Sequence, residues 1–302
     1  MSVDSEPPIH NPESRIQNRF AWDGVSFDVP ESWNLSHYTH DKQQRRIEME
    51  DDFSHRLDVE WIFSSVKLNP AAIEQRYLKS AKALTKSAKE SKALSNMPKG
   101  WAAFLYSFGD GRKLITAWWL VPEHKFFVFV MLHFERDSKE KPEALLRAIA
   151  QSFTLHTSGL VPWRCYDIAF QVPRSLKLEK TEFLAGRKMF LFQWRGRRLH
   201  LWFFSLADLL LKKRSLEEWA AEFLSGQPGL RGPKYVVAGS EIRAERKPWR
   251  PFHADQIGSL CFRYKCGVKH NPERNQIVIW AFHHRRASDM EHLKGFDIDP
   301  AK

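Results

Sequence analysis

Cys261, Cys266 and His270 make a C-x4-C-x3-H run, with His283 and His284 a short way downstream. Thiolate and imidazole are the donors of structural zinc, so this is the first place to look for metal chemistry. Zinc sites favour tighter cysteine pairs, however, and Cys261 lies in the strand-like run LCFRY, where a cysteine is usually a small core residue. We therefore expect core thiols, no metal and no cofactor. The other histidines are scattered. His124 falls in the turn sequence PEHK, and His200 is expected to point outward between Leu199 and Leu201. Glu48, Glu50, Asp51 and Asp52 form an acidic stretch that a charged strand edge or turn explains without catalysis. The chain has no H-E-x-x-H, no phosphate-cradling glycine loop and no dinucleotide fingerprint, and GDGRK reads as a hairpin turn. The expectation is a protein that is not an enzyme.

Basic residues carry more information. Arg195, Arg197 and Arg198 surround the glycine of a hairpin in WRGRRLHLW. Arg246, Lys247 and Arg250 cluster with Trp249 in ERKPWRPFH, and Arg285 and Arg286 stand at the end of a strand in HHRR. Guanidinium forks suit phosphates and carboxylates, and an exposed indole can stack on a base. From residue 159 onward there are 26 Lys and Arg against 15 Asp and Glu, an excess equal to the whole net charge of +11. A surface charged in one half only suggests an anionic partner for that half. No RNA- or DNA-binding motif is present, so an acidic protein surface is the first reading and nucleic acid the alternative.

The elements that must position these residues come in two echoing sets. FDVPESWNL (Phe27 to Leu35) and FQVPRSLKL (Phe170 to Leu178) share F-x-V-P-x-S-x-x-L. Phe27 and Val29, like Phe170 and Val172, lie two apart and face one side of a strand. Pro30 and Pro173 end that strand, and Ser32 and Ser175 are placed to hydrogen-bond in the turn. Neither serine has the flanking glycines of a nucleophile elbow. Downstream, RLDVEWIF from Arg56 aligns with RLHLWFFS from Arg198, both alternating as strands do. Asn69-Pro70 opens a helix whose stripe is Ile73, Tyr77, Ala81, Leu84 and Ala88, and Ser215 to Glu218 fits a capping box. Strands are predicted over Trp101 to Phe108, Lys113 to Val121 and Phe126 to Phe134, then a helix in PEALLRAIAQSF. GSLCFRYKCGV, NQIVIWAFHH and a closing helix in DMEHLKGFDI are their expected counterparts.

Each half thus reads β-β-β-α-β-β-β-α, the product of an internal duplication. The expected organisation is a tail over residues 1–17, a near-neutral α+β repeat over 18–157 and a basic α+β repeat over 158–302. The opening FDVPESW and the helix end IAQSF resemble the Mog1/PsbP-like superfamily, which includes DcrB-like and Eag-type chaperone domains. The second half departs from it, with Leu176 in place of Trp33 and Gly295-Phe296 in place of Ser152-Phe153. The resemblance implies an αβα sandwich around an antiparallel sheet and a non-catalytic role in binding or assembling a protein partner. A fused tandem could act as a pseudo-dimer.

Twelve Trp and 22 Phe among 302 residues support sizeable cores. No run approaches the ~20 apolar residues of a membrane span, and three cysteines do not make a disulfide framework. MSVDSEPPIHNPE lacks the basic and apolar regions of a secretory signal. The expected protein is a cytoplasmic adaptor, chaperone-like factor or accessory subunit with a basic, Trp-containing contact surface in its second repeat. The third reading is an enzyme with a site between the repeats.

Overall fold

A computed structural model describes residues 16–40, 44–64, 69, 71–73, 75, 77, 79, 82, 85–227, 230, 233–238, 241–246, 263–284, 286–294 and 296–298. The described residues are mostly antiparallel β-sheet with few helices. They divide into two compact units: Met1–Thr157 with Arg164–Tyr166, and Ser158–Trp163 with Asp167–Lys302.

The first unit opens with β1 (Ile16–Trp22), β2 (Val25–Pro30), β3 (Asn34–His40), β4 (Arg45–Glu50) and β5 (His55–Phe63). Helical residues at 71–73, 75, 77, 79 and 82 follow. Then come β6 (Ala88–Ala93), β7 (Trp101–Phe108), β8 (Lys113–Val121), β9 (Phe126–Phe134), α1 (Pro142–Ser152) and β10 (Thr154–Leu155). The principal sheet runs β3-β4-β5-β9-β8-β7-β6, and a smaller one contains β10-β2-β1. Alternation sends the two faces of β9 to different cores. Phe127 and Phe129 meet Tyr77 of the helix, at 4.7 and 4.9 Å between ring centroids. Phe126 meets Phe153 at the end of α1, which in turn stacks on Phe27 of β2. The principal sheet is therefore covered on one face by a helix and on the other by α1 together with the small sheet.

β11 (Leu160–Cys165) begins in the second unit, where β12 (Ile168–Pro173), β13 (Lys177–Leu184), β14 (Arg187–Trp194) and β15 (Arg197–Ser205) lead into α2 (Ala207–Leu210) and α3 (Leu216–Gly226). The chain continues through β16 (Pro233–Ala238), β17 (Glu241–Arg246), β18 (Arg263–Asn271), β19 (Gln276–His284) and β20 (Asp297–Ile298). The order β13-β14-β15-β19-β18 is the same succession as β3-β4-β5-β9-β8, and β11-β12-β20 that of β1-β2-β10. Trp202 and Phe204 of β15 pack with Trp219 and Leu224 of α3 and with Tyr235 and Ile242 of the β16-β17 pair. On the opposite face Phe203 meets Phe170 of β12 at 5.5 Å.

The two echoing motifs are corners. Phe27, Val29, Phe170 and Val172 are buried, and each corner closes by a backbone bond, Trp33 N–H to Pro30 O at 3.0 Å and Leu176 N–H to Pro173 O at 2.9 Å. The backbone makes this closure; the hydroxyls of Ser32 and Ser175 do not. Trp33 and Leu176 occupy equivalent buried places despite their different size. The Ser215 capping box forms, with Glu218 N–H donating to Ser215 Oγ at 3.2 Å and Ser215 N–H to Glu218 Oε2 at 3.1 Å.

Three expectations need correction. Five strands, not three, precede the first helix, because RRIEME alternates with only two apolar residues, Ile47 and Met49, and both are buried. Ala88 does not continue the helical stripe but begins β6. That strand is the exposed edge AKESKA, whose lysines suit an edge that must not recruit another strand. The segment closing the second unit is a 3-10 helix over Ala287–Leu293 rather than an α-helix. Ala81 and Leu84 lie outside the described residues.

One glycine is required by packing. Gly267 of β18 pairs with Trp280 of β19, and a Cβ there would lie 2.4 Å from the indole nitrogen. The indole is itself held edge-on against Phe296 at 5.8 Å and cannot simply swing away. Gly267→Ala should therefore destabilise the protein by about 1–3 kcal/mol, the usual cost of overpacking, as measured by urea unfolding. An unchanged midpoint would mean that Trp280 relaxes freely.

Candidate functional site

An open groove of about 820 Å³ lies in the second unit, lined by Arg174, Ser175, Lys177, Leu178, Glu179, Gln193, Trp194 and Arg195. Its residues come from the corner after β12, the first residues of β13 and the turn from β14 to β15, where Lys177 pairs with Gln193. The turn is a two-residue hairpin with Arg195 at φ 43° and Gly196 at φ 78°, the left-handed pair of a tight hairpin turn. This turn throws Arg195 outward beside Trp194. The guanidinium carbons of Arg195 and Arg197 lie 5.4 and 4.8 Å from the Trp194 ring centre, and the His292 ring sits 3.8 Å away. Three cationic side chains and one carboxylate, Glu179, line the groove. Arg198 approaches that carboxylate at 3.6 Å, so the local field is positive.

The predicted basic residues fall into three groups. Arg195 lines the groove, and Arg197 and Arg198 flank it. Arg286 is exposed at the start of the 3-10 helix, and its backbone N–H donates to Asp289 Oδ2 at 2.9 Å. Arg197 Nη2 donates to the other oxygen of the same carboxylate at 2.9 Å, so Asp289 ties the hairpin to the 3-10 helix, 92 residues on from Arg197. Arg246 closes β17. Lys247, Trp249, Arg250 and Arg285 lie outside the described residues, as does Cys261. Arg174, Lys177 and Trp194 join the site although sequence reasoning did not include them among the contact residues. The signal for two of them was present, because Arg174 and Lys177 stand where the first motif has Glu31 and Asn34.

The corresponding elements of the first unit carry the opposite charge. A groove of about 390 Å³ is lined by Asn34, Glu50, Asp51, Asp52, Phe53, Ser54 and His55. Asn34 opens β3 as Lys177 opens β13, and the Asp51–Ser54 turn joins β4 to β5 as the Arg195-Gly196 turn joins β14 to β15. Asp51 Oδ1 accepts the backbone N–H groups of Phe53 and Ser54 at 2.9 and 2.8 Å, which leaves Phe53 92% exposed. Burial tends to raise the Asp51 carboxyl. The two backbone donors and Arg56 outweigh that and hold it below its ordinary range.

Two further titratable groups lie in the second unit. His200 is not outward-facing: it is buried, and its ring stacks on Trp202 at 5.3 Å. Cys266 packs against the α3 core as expected of a core thiol, and burial pushes it up to about 12. Neither Cys165 nor Cys266 is in a disulfide. His124 is exposed at the turn after β8.

One imidazole–carboxylate cluster, of a kind able to hold a metal, forms in the first unit. His55 Nε2 and His133 Nε2 approach Asp58 Oδ2 at 2.8 and 2.9 Å, and Arg46 Nη2 donates to Asp58 Oδ1 at 2.6 Å. Burial would raise the Asp58 carboxyl, but the bonds from His133, His55 and Arg46 overcome it and keep it ionised far below the usual carboxylate range.

Comparison with protein-family models finds no match, and comparison with curated proteins finds none. Among solved structures, cyanobacterial PsbP (CyanoP) from Synechocystis sp. PCC 6803 matches at 14% identity over 46% of this chain and 92% of its own, with a TM-score of 0.33. A Mog1 mutant matches at 11% identity over 46% of this chain and 97% of its own, with a TM-score of 0.30. The Saccharomyces cerevisiae Ran-binding protein Mog1p matches at 9% identity over 44% and 90%, with a TM-score of 0.29. No helix of the described residues is long and apolar enough to cross a membrane. The chain is thus similar, over less than half of its length, to PsbP and Mog1 structures.

Proposed function

We propose that this protein is a non-enzymatic adaptor or accessory subunit, built by internal duplication, that engages an acidic protein surface through the groove and hairpin of its second unit. The observation that carries this reading is the charge difference between matched elements. Arg174, Lys177 and Arg195 line one groove, whereas Glu50, Asp51 and Asp52 line the other. A duplicated scaffold keeps its core residues for folding and diverges where the copies take different partners. The matching strand orders and the two Pro-ended corners support the duplication. The protein works in a reducing cytoplasm, in keeping with its three cysteines.

A protein partner is preferred over nucleic acid because Trp194 is already engaged. Two guanidinium groups and His292 pack on it, which leaves the indole a poor platform for a stacked base. Affinity purification from the native cell, with mass spectrometry, should recover a stoichiometric protein. Reversing charge at Arg174, Lys177 and Arg195 to Glu should reduce that recovery at least about tenfold, and raised salt should do the same to the unaltered chain. Equal recovery by the reversed variant would overturn the assignment of the surface. Tight binding of random-sequence RNA or DNA at low salt, lost on the same reversal, would move it to nucleic acid.

A further inference from the structure

We propose that His55, Asp58 and His133 form a binding site for a divalent transition-metal ion, zinc by preference. Nothing in this proposal depends on the basic groove, since the cluster lies in the first unit. Its three donor atoms, one from each residue, lie within 4.8 Å of one another. Asp58 is on β5 and His133 on β9, adjacent central strands of the principal sheet, and His55 begins β5. Donors fixed on paired strands are positioned before any ligand arrives, which lowers the ordering cost of binding.

Both imidazoles aim the same nitrogen, Nε2, at the same carboxylate oxygen, and their rings stand edge to face at 4.7 Å. Held by hydrogen bonds alone, both rings must carry their proton on Nε2. A cation entering the cluster replaces those two protons with one ion and leaves each Nδ1 to carry the ring proton. Ligands at about 2.1 Å from a tetrahedral ion stand about 3.4 Å apart, so each Nε2–Oδ2 distance has to open by about 0.5 Å while the two imidazole nitrogens, now up to 4.8 Å apart, draw together. The side chains suit this. Asp58 is 4% exposed and anchored, whereas His55 and His133 are 37% and 33% exposed and can turn.

The surroundings behave as an outer shell. Arg46 binds Asp58 Oδ1 and so presents Oδ2 to the histidines, and it also pairs with Glu48 at 3.1 Å. Glu48 lies directly across from Asp58 in the β4-β5 register, so the guanidinium charge is offset by two carboxylates. Two imidazoles and one carboxylate favour zinc, cobalt, nickel or copper over magnesium and calcium. Three protein ligands on an accessible face leave a fourth position for water.

The test uses the full chain stripped with a chelator and titrated with zinc by calorimetry, then loaded with cobalt for its visible spectrum. One equivalent should bind, and cobalt should give the absorption of a four-coordinate N/O site. His55→Ala, His133→Ala and the double variant should each weaken zinc binding at least about 100-fold. Their circular dichroism should stay native, because both positions are one-third exposed. His124→Ala, on the exposed turn, should bind as the unaltered chain does. Absence of zinc binding, or binding unchanged in the double variant, would overturn the site.

Discussion

Replacing Phe170 by Ala should destabilise the protein by about 3–5 kcal/mol, and Phe27→Ala should cost a similar amount. Both side chains are fully buried, and both sit where an aromatic network converges. Phe170 lies parallel to Trp163 at 6.1 Å and meets Phe190 and Phe203 at 5.0 and 5.5 Å. Phe27 stacks on Phe153 at 5.4 Å and tilts against Phe20 at 5.4 Å. Removing either ring leaves a cavity that rigid aromatic neighbours cannot collapse into, so the cavity cost adds to the lost transfer energy. Urea unfolding followed by far-ultraviolet circular dichroism measures both. Replacing Ser32 or Ser175 by Ala should cost little, because the backbone closes each corner without their hydroxyls. A loss below 1 kcal/mol for either phenylalanine would mean that its corner is not a fixed part of the core.

The same contrast explains how much of the molecule could be read from its letters. Trp101–Phe108, Lys113–Val121 and Phe126–Phe134 form at their predicted bounds, because each alternates strongly and is separated from the next by a clear turn. The Ser215 helix start was equally plain, since a capping box is a local chemical device. β4 and β6 were missed because strongly charged strands show little apolar alternation. The histidine–aspartate cluster was invisible for another reason: His133 is 75 residues from Asp58, and only the pairing of β5 with β9 brings them together. Within the basic surface, Trp249 lies outside the described residues, and among the described ones an indole beside the arginines is Trp194. Side-chain charge was legible, but that Trp194 stands beside Arg195 and Arg197 depends on hairpin register.

The misplacement of His200 follows from the same limit and leads to an acid-sensitive core. Alternation along β15 puts Leu199, Leu201 and Phe203 on one face, which suggests that His200 faces solvent. The sheet is covered on both faces, so the other side holds Trp202 and Phe204 against α3. His200 shares that side, its cross-strand neighbours are Leu191 and Ala281, and its Nε2 has no hydrogen-bond partner. Burial, with smaller contributions from the charges of Arg198 and His283, pushes its pKa from 6.5 down to about 3. In the unfolded chain the ring protonates normally, so the unfolded state takes up a proton that the folded state refuses. Above pH 6.5 the ring is neutral in both states and contributes nothing to pH dependence. As pH falls below 6.5 the folded state loses stability, by about 2 kcal/mol at pH 5, and the loss grows until the pH nears the folded value. His200→Leu should remove this part of the acid limb. It should cost little at pH 7.5, because it also removes a buried nitrogen without a partner. Urea midpoints measured at pH 7.5 and pH 5 on both proteins decide the matter. The unaltered chain should lose more stability than the variant between the two values, and parallel losses would show that His200 accepts its proton in the folded state.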